Sequence, residues 1–255
     1  MEKTKKLQKS SISQNEYRLI EKIKLSGLSV FGTDDIKRLL RWSENKIYYT
    51  IYTLRKKGMI VEALGGRYIL SSILTDYDIL TVTSQLIWPA YLSFWTALNY
   101  YKFTEQLPLT IFIATTKSRK EVEIEKTKIK FVRISKHRFF GYRKINGIVM
   151  AEKEKALIDS LLLPRYAGGI IEISRCLKNS WSELDKKILI DYAMRMKNKS
   201  LLKRLGYLIE TENLKIDKKL IEKLQKNIGK GYSKLDPQLE RKGSYNKRWG
   251  LIVNL

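Results

Sequence analysis

The stretch from Thr33 to Leu70 constrains the fold more than any other part of this chain. It reads TDDIKRLLRWSENKIYYTIYTLRKKGMIVEALGGRYIL, and its spacing predicts two short helices joined by a tight turn, followed by a hairpin. Thr33 can cap the first helix with its hydroxyl, and the carboxylates of Asp34 and Asp35 suit the positive end of the helix dipole. The segment therefore predicts a helix-turn-helix followed by two strands.

The second helix is predicted over Glu44–Lys57, with Ser43 as its cap. Its apolar residues Ile47, Ile51 and Leu54 recur at i, i+4 and i+7. Residues at this spacing lie on one face of a helix, so they predict a stripe that faces a small core.

The hairpin is predicted by MIVEAL and RYIL, which flank the turn dipeptide Gly65-Gly66, and Gly58 marks the end of the helix before it. LSVF, before Thr33, is expected to form a short strand that pairs with this hairpin. Helix, turn, basic helix and hairpin in this order predict a winged helix-turn-helix over residues 13–72.

The face of the second helix opposite the apolar stripe supplies the candidate DNA contacts, because such a helix enters the major groove. The candidates are Ser43, Asn45, Lys46, Tyr49, Thr50, Thr53, Arg55, Lys56 and Lys57, with Arg67 on the hairpin for a minor groove. Polar side chains near the helix start suit base edges, whereas the basic residues at its end suit phosphates. A solvated basic face is the alternative, and Tyr48 and Tyr52 are expected to pack.

The charge of the chain indicates a polyanionic partner, since the formal net charge is +24 and the isoelectric point is about 9.9. The excess is +8 over residues 1–70, +7 over 71–180 and +9 over 181–255, so no third of the chain holds most of it. A proteome rich in lysine is the alternative explanation. Double-stranded DNA is the predicted partner, and RNA binding by the whole basic chain stays open.

Residue counts exclude several kinds of site. The single cysteine, Cys176, excludes an intramolecular disulfide and a multi-cysteine zinc site, and the single histidine, His137, excludes a histidine-rich metal centre. Gly243-Ser244 has no pair of aspartates after it, and the sequence contains no phosphate-binding P-loop. The sequence therefore predicts that the protein is not an enzyme and needs no cofactor or metal.

The start of the chain, MEKTKKLQKSSIS, is basic and lacks the apolar run of a secretory signal, so residues 1–12 are expected to form a flexible basic tail. The longest apolar stretch, Leu86 to Leu98, contains Pro89 and is too short to span a bilayer. A cytoplasmic protein without membrane contact is the expectation.

Residues 73–255 are predicted to form an α+β domain in which a sheet precedes a set of helices, after a boundary near residues 71–76. Pro89 is expected to open a buried helix, AYLSFWTALNYY. Strands are expected in LTIFIAT, VEIEKTKIKFVRIS, FFGYRKINGIVMA and the closing KGSYNKRWGLIVNL. Helices are expected in EKEKALIDSLLL, GGIIEISRCLKNS, SELDKKILIDYAMRM with Ser182 as cap, NKSLLKRLGYLIETEN and DKKLIEKLQKNI.

Several polar groups in this second domain are weaker candidates. Glu152, Glu154 and Asp159 are close enough in sequence to bind a metal, but a surface ion pair between Lys155 and Asp159 is the favoured reading. Arg165 and Tyr166 could form a phosphate-binding loop, but a plain connection before the next helix explains them equally well. Arg204, Tyr207 and Glu210 share one face of a helix, which could be functional or could simply pack. Trp249, His137 and Cys176 are expected to be structural.

Four phrases, read in order, resemble a known family. TALNYYKFTEQLPLTIFIATTK, MAEKEKALIDSLLLPRYAGGI, LLKRLGYLIE and KRWGLIVN are similar to successive blocks of the AbiEi-type antitoxins of type IV toxin–antitoxin systems. The resemblance covers about residues 13 to 254. It implies a DNA-binding transcriptional autorepressor with an antitoxin role, whose functional partner is a nucleotidyltransferase toxin. The high lysine content and the helix Asp217 to Ile228 depart from the family pattern.

Overall fold

The computed structural model describes residues 11–72, 79–124 and 126–255. The basic tail expected over residues 1–12 lies almost entirely outside these ranges. The chain divides into two compact units, Met1–Leu86 and Ile87–Leu255. The division falls later than the boundary expected near residues 71–76, most of which are also outside the described ranges.

The first unit begins with helices and ends with a hairpin and a short helix. Its described elements are α1 (Gln14–Ser26), β1 (Phe31–Gly32), α2 (Thr33–Leu40), α3 (Glu44–Lys56), β2 (Ile60–Leu64), β3 (Arg67–Leu70) and α4 (Ile79–Ser84). The strands form an antiparallel sheet in the order β1-β3-β2. The strand expected in LSVF is confirmed as β1, and Gly65 and Gly66, both at positive φ, form the predicted hairpin turn.

The core of this unit is formed by the apolar stripe of α3, which packs against α1 and α2. Ile47, Ile51 and Leu54 are buried as predicted, and α3 contacts α1, α2 and β2. Leu19 of α1 and Ile36 of α2 are fully buried as well. Three short helices therefore share one small core beneath the sheet residues.

The expected cap of α2 is wrong. Thr33 is the first helical residue, and the capping position belongs to Gly32, whose N–H donates to Oδ2 of Asp35 at 2.9 Å. Gly32 is extended and pairs with Arg67 of β3, so strand pairing fixes where α2 begins. The carboxylate of Asp35 thus satisfies the backbone N–H of the capping residue, and Gly32 has no side chain that could accept from the N–H groups of the first turn.

The second unit contains nine strands and six helices among its described residues. They are β4 (Ala90–Leu92), α5 (Phe94–Tyr100), β5 (Thr110–Thr115), β6 (Val122–Ile124), β7 (Thr127–Arg133), β8 (Tyr142–Ile145), β9 (Ile148–Ala151), α6 (Lys153–Leu162), α7 (Gly169–Ser180), α8 (Lys186–Arg195), α9 (Lys199–Thr211), α10 (Lys218–Asn227), β10 (Ser233–Lys234), β11 (Ser244–Asn246) and β12 (Leu251–Val253). Short 3₁₀ turns cover Lys136–Arg138, Pro164–Tyr166 and Trp181–Glu183. The predicted strand pairs and the five predicted helices after Glu152 are confirmed, so the protein has a mixed α+β fold.

Six strands form the main sheet in the order β6-β7-β5-β4-β9-β8. The pairs β5/β7 and β4/β9 are parallel, and the remaining pairs are antiparallel. Strand β4 lies between β5 and β9 near the middle of the sheet, and all three of its residues are buried. Helix α6 contacts α5, α7, α8 and α9, so it is the central helix of this unit.

Two predicted helix starts are wrong. Pro89 does not open a helix, because Ala90–Leu92 pairs with β5 and β9 as strand β4 and the helix begins only after Ser93. Ser182 lies in a 3₁₀ turn, and α8 is capped by Asp185, whose side chain accepts from two backbone N–H groups of the first turn. The pairing of a buried strand determines the start of the first helix, and a carboxylate nearer to the helix than Ser182 determines the start of the second.

A second sheet, in the order β10-β12-β11, lies beside α9 through β10. Trp249 is fully buried, as predicted, and its ring occupies the space beside Gly206 on α9. A Cβ atom on Gly206 would approach the Trp249 ring to 2.1 Å, far inside van der Waals contact. The absence of a side chain at Gly206 is therefore what lets the indole pack on the helix.

We expect Gly206→Ala to lower the free energy of unfolding by about 1–3 kcal/mol, because the methyl group collides with a buried ring. Within a helix this substitution is ordinarily stabilising by up to about 1 kcal/mol, so the expected sign is reversed. Urea denaturation measures the change. Thr211→Ala, at an exposed position on the same helix, is the matched control, and a stabilised Gly206→Ala protein would contradict this packing.

Candidate nucleic-acid interface

The solvent-facing side of α3 exposes three tyrosines. Tyr48, Tyr49 and Tyr52 are 58%, 71% and 62% exposed, and Asn45 and Lys56 are exposed on the same helix. These five residues recur at spacings of three and four, which places them on contiguous turns of one side. We call this surface the tyrosine face: Asn45, Tyr48, Tyr49, Tyr52 and Lys56.

The expectation that Tyr48 and Tyr52 pack beside the core is wrong. Each follows a buried isoleucine, Ile47 or Ile51, and one residue along a helix turns about 100° away from the previous one. The buried stripe is complete with Ile47, Ile51 and Leu54, so the two rings are left in solvent. The sequence does contain a signal for this exposure: Tyr48, Tyr49 and Tyr52 are spaced so that they form a second stripe, separate from the buried one.

The two threonines predicted to reach base edges lie on the inner side of the helix instead. Thr50 is only 2% exposed, and its hydroxyl donates to the carbonyl of Lys46 at 2.8 Å. The hydroxyl of the half-buried Thr53 donates to the carbonyl of Thr50 at 3.0 Å. Both hydroxyl protons are therefore bonded within the helix, an arrangement that threonine commonly adopts there.

Fewer polar side chains are free to contact DNA at the start of α3 than the sequence predicted. The Nζ atom of Lys46 lies 4.4 Å from the centre of the Trp42 ring, which fixes this ammonium group beside the turn before the helix. Ser43 occupies the capping position and is exposed, but its side chain makes no capping hydrogen bond. Asn45 is exposed in the first turn of the helix.

Two of the three predicted phosphate contacts, Arg55 and Lys57, are paired with acidic groups of the same unit, and so is Arg67, which was predicted to enter a minor groove. Arg55 lies 3.0 Å from Glu62, and Arg67 lies 3.1 Å from Asp35. Lys57, just past the end of α3 rather than within it, lies 2.6 Å from Glu16 of α1 and donates to the carbonyl of Ser11. Lys56, in contrast, is exposed and has no ion pair among the residues described.

These ion pairs position the elements of the interface. Asp35 joins the start of α2 to the hairpin through Arg67, and Glu62 joins the hairpin to the end of α3 through Arg55. The Glu16 carboxylate, which also accepts the Ser13 backbone N–H in a capping box, joins α1 to the end of α3. Side-chain ion pairs thus connect helix α3 to both the hairpin and α1.

The acidity of Glu16 follows from its surroundings. Burial alone would raise the pKa of this carboxyl, but hydrogen bonds from Lys57 and from the Ser13 backbone outweigh it and lower the pKa from 4.5 to about 2. Because the pKa is lowered on folding, the ionised carboxylate stabilises the folded state above pH 4.5. This stabilisation is lost as the pH falls from 4.5 through about 2.

The most buried polar cluster lies in the second unit, around the Lys155–Asp159 ion pair. Both side chains are fully buried, so the expectation of a surface pair is wrong about its location. Oδ2 of Asp159 accepts from the hydroxyls of Tyr91 at 3.0 Å and Ser93 at 2.8 Å, and Lys155 Nζ donates to the Tyr91 oxygen at 2.9 Å. Burial lowers the pKa of Lys155 and raises that of Tyr91.

This cluster satisfies its own hydrogen-bonding groups. Tyr91 donates to one charged group and accepts from the other, and the two carboxylate oxygens of Asp159 are both bonded. A fully buried and internally paired network has the properties of a structural element rather than of a site that meets a ligand. Asp159 is therefore assigned to the core.

The remaining acidic candidates are also used internally. Glu152 accepts from the hydroxyl of Tyr192, and Glu154 accepts from the backbone N–H of Asp185 at 2.8 Å. Over the described ranges, no group of three or more histidine, cysteine or acidic residues could hold a metal ion.

The candidate face of Arg204, Tyr207 and Glu210, on α9, contains side chains that are buried or paired within the protein. Arg204 is buried and donates to three backbone carbonyls. Glu210 accepts from the indole of Trp249 at 2.5 Å and lies 2.6 Å from Arg248. Cys176 is buried as well, and burial raises the pKa of its thiol to about 12.

Comparison with known proteins places the fold and nothing more specific. No protein-family model matches the chain, and no curated protein matches it. It is similar to the crystal structure of RV2827C protein from Mycobacterium tuberculosis, with a TM-score of 0.62 and 12% sequence identity over 95% of this chain and 92% of that chain. At this identity the similarity shows a shared mixed α+β fold.

No helix within the described ranges combines the length and apolar character needed to cross a bilayer.

We expect Glu16→Gln to reduce the dependence of the free energy of unfolding on pH in the acidic range. In the unchanged protein the free energy of unfolding should fall as the pH drops from 4.5 towards 2, and the amide variant should lose this part of the slope. Urea midpoints measured over an acidic pH series test the effect. Glu21→Gln, on the exposed side of the same helix, is the control, and equal slopes in both variants would contradict the assignment.

We expect Asp159→Leu to lower the free energy of unfolding by about 3–5 kcal/mol, because it leaves the Lys155 ammonium buried without a counter-charge. The double variant Lys155→Met/Asp159→Leu should cost less than the single one. Chemical denaturation measures both.

The exposed pair of Lys223 and Asp191, 2.7 Å apart, is the matched control for this experiment. Asp191→Ala should cost less than about 1 kcal/mol, since exposed ion pairs contribute little. A double variant that is less stable than Asp159→Leu would show that the buried charge is not the dominant cost.

Proposed function

We propose that this protein is a DNA-binding transcriptional repressor that acts as the antitoxin of a type IV toxin–antitoxin pair, with α3 reading the operator. The first unit has the order expected of a winged helix-turn-helix: α2, a turn over residues 41–43, α3, and then the β2–β3 hairpin. In that arrangement α3 enters the major groove and the hairpin lies against the neighbouring backbone.

The observation that supports this proposal most strongly is the tyrosine face of α3. Three tyrosines on consecutive turns are left in solvent although each has a large apolar ring. Clustered exposed aromatic groups beside polar side chains are characteristic of binding surfaces. Asn45 can bind an adenine edge, the tyrosine hydroxyls can reach base edges or phosphates, and Lys56 can contact a phosphate.

The ion pairs around α3 are consistent with this use. Arg55, Lys57 and Arg67 are paired with acids and orient the helix and hairpin, and Lys56 keeps its ammonium group in solvent. We therefore assign DNA contact to Asn45, the three tyrosines and Lys56. Thr50 and Thr53 are not assigned to it, because their hydroxyls are bonded within the helix.

The antitoxin part of the proposal rests on the resemblance of the second unit to the AbiEi-type antitoxins. The four resembling phrases fall on α5 with β5, on β9 with α6, on α9 and on the approach to β12. Such a protein would act with a nucleotidyltransferase toxin. We expect a gene for that enzyme beside the gene for this protein, and we expect the two products to restore growth together where the toxin alone stops it.

RNA binding is the second candidate, and the same tyrosine face favours it. Exposed aromatic rings stack on unpaired bases, and the positive charge is spread evenly along the chain rather than concentrated in the first unit. Duplex DNA and tRNA are therefore compared in one experiment.

We expect Tyr49→Ala and Asn45→Ala to weaken binding to the protein's own upstream DNA about tenfold or more while changing binding to a scrambled duplex less. Fluorescence anisotropy with upstream DNA, scrambled duplex and tRNA measures these affinities. Tyr17→Ala is the matched control, because Tyr17 is a 59% exposed tyrosine on α1. Equal losses in the Tyr17 and Tyr49 variants, or a preference for tRNA, would overturn the proposal.

We expect Lys56→Ala to weaken binding to every duplex alike and to reduce the salt dependence by about one phosphate contact. Lys22→Ala, which removes an exposed lysine of α1, is the control. An unchanged salt slope in Lys56→Ala would exclude this lysine from the interface.

A further inference from the structure

Arg204 on α9 is a buried cation with unused hydrogen-bonding capacity. It is 6% exposed, and its guanidinium donates to the carbonyls of Leu235 at 2.8 Å, Leu161 at 3.2 Å and Lys234 at 3.2 Å. A guanidinium has five N–H groups. Three are used by these carbonyls, which leaves two available to another acceptor.

The charge of Arg204 also has no paired carboxylate. In the part of the chain that the structure describes, no acidic side chain forms an ion pair with it. Asp236 is near enough to favour its charged form, but that carboxylate accepts from the backbone N–H groups of Gln238 and Ile170. Burial lowers the pKa of Arg204. Because this neighbouring carboxylate bonds backbone N–H groups and not the guanidinium, the unused N–H groups of Arg204 are suited to a further anion.

Arg204 lines a cavity of about 490 Å³ in the second unit. Leu162, Leu163 and Pro164 form an apolar wall, and Asn198 and Gln238 add amide groups. The volume lies within the roughly 300–1,000 Å³ range of small-molecule sites. Its lining is divided between apolar and polar side chains, as a ligand with one charged and one apolar part requires.

A second arginine lies at the same cavity. Arg165 is exposed, and its guanidinium lies 4.6 Å from the centre of the Tyr166 ring, which restricts its orientation. No ion pair engages Arg165 over the described ranges. Two arginines, one buried and one at the surface, therefore line one cavity that also has an apolar side.

We propose that this cavity binds a small phosphorylated molecule, with its phosphate between Arg165 and Arg204 and its remaining part against Leu162, Leu163 and Pro164. Guanidinium groups bind phosphate oxygens in pairs, and a phosphate has three oxygens to share between two arginines and the Asn198 amide. A carboxylate has only two. All of these groups lie in the second unit, so the inference does not depend on DNA binding by α3.

The first measurement is calorimetric titration of the full chain with inorganic phosphate and with nucleoside monophosphates, at constant ionic strength. We expect saturable binding with one site per chain, tighter for the nucleotides if the apolar wall contacts their rings. Binding of phosphate with no gain from the nucleoside would still support the phosphate site and exclude the ring contact. A dicarboxylate such as succinate that binds better than either would overturn the proposal.

Variants assign that binding to the cavity. We expect Arg165→Gln to weaken it about tenfold or more, because a charge-assisted hydrogen bond is lost at a position where folding is not at risk. Arg204→Lys, which keeps the charge and removes the paired geometry, should weaken it as well. Arg119→Gln removes the same charge from an exposed arginine outside the cavity and should change nothing.

No saturable binding at millimolar concentrations, or an equal effect of Arg119→Gln and Arg165→Gln, would overturn the assignment. If Arg204→Lys does not fold, Arg165→Gln alone decides it. Failure of this experiment leaves upstream-DNA binding unchanged, so it is distinguishable from failure of the proposed function.

Discussion

The second unit depends on one polar interaction, the buried ion pair of Lys155 and Asp159 in α6. A charged pair in a hydrophobic interior is tolerated only when each atom has a partner, and here Tyr91 of β4 and Ser93 supply those partners. Strand β4 lies in the middle of the main sheet, and α6 contacts four other helices. The pair therefore connects α6 to β4 through hydrogen bonds of defined geometry, in addition to the apolar packing between helix and sheet.

The first unit uses the opposite strategy, with charged pairs at its surface. The Glu16 carboxylate, which accepts from Lys57 just past the end of α3, is the buried exception. Asp35 and Glu62 accept from Arg67 of the hairpin and Arg55 of α3. Individually such pairs contribute little stability, but together they restrict the orientation of the helix that we propose to contact DNA. A surface that is oriented in advance loses less conformational entropy on binding.

Much of the fold was predictable because its local signals agree with its packing. The Gly65-Gly66 turn and the stripe of Ile47, Ile51 and Leu54 follow from backbone conformation and periodicity. Pro89 misled because β4 pairs with strands that are distant in sequence. A propensity for a helix start contains no information about such partners.

The site was less predictable than the fold. Thr50 and Thr53 are polar and have the spacing of a surface face, yet their hydroxyls bond to the helix backbone. Tyr48 and Tyr52 are large and apolar enough to be expected inside, yet each lies about 100° around the helix from the buried isoleucine before it and is exposed. For Asp159, the pairing with Lys155 was predictable from the i, i+4 spacing. Its burial was not, because that depends on strand β4. Which side of a helix is inside depends on the elements that cover it.

The hairpin has one more consequence, which concerns self-association. In the sheet order β1-β3-β2, strand β2 lies at an edge, where unpaired backbone groups could accept a strand from another molecule. Its register shifts between Glu62 and Leu64, and the Glu62 carboxylate on this strand is held by Arg55. An irregular strand bearing a fixed charge is a poor template for edge-to-edge pairing. This edge of the hairpin is therefore poorly suited to pairing with the same strand of a second copy.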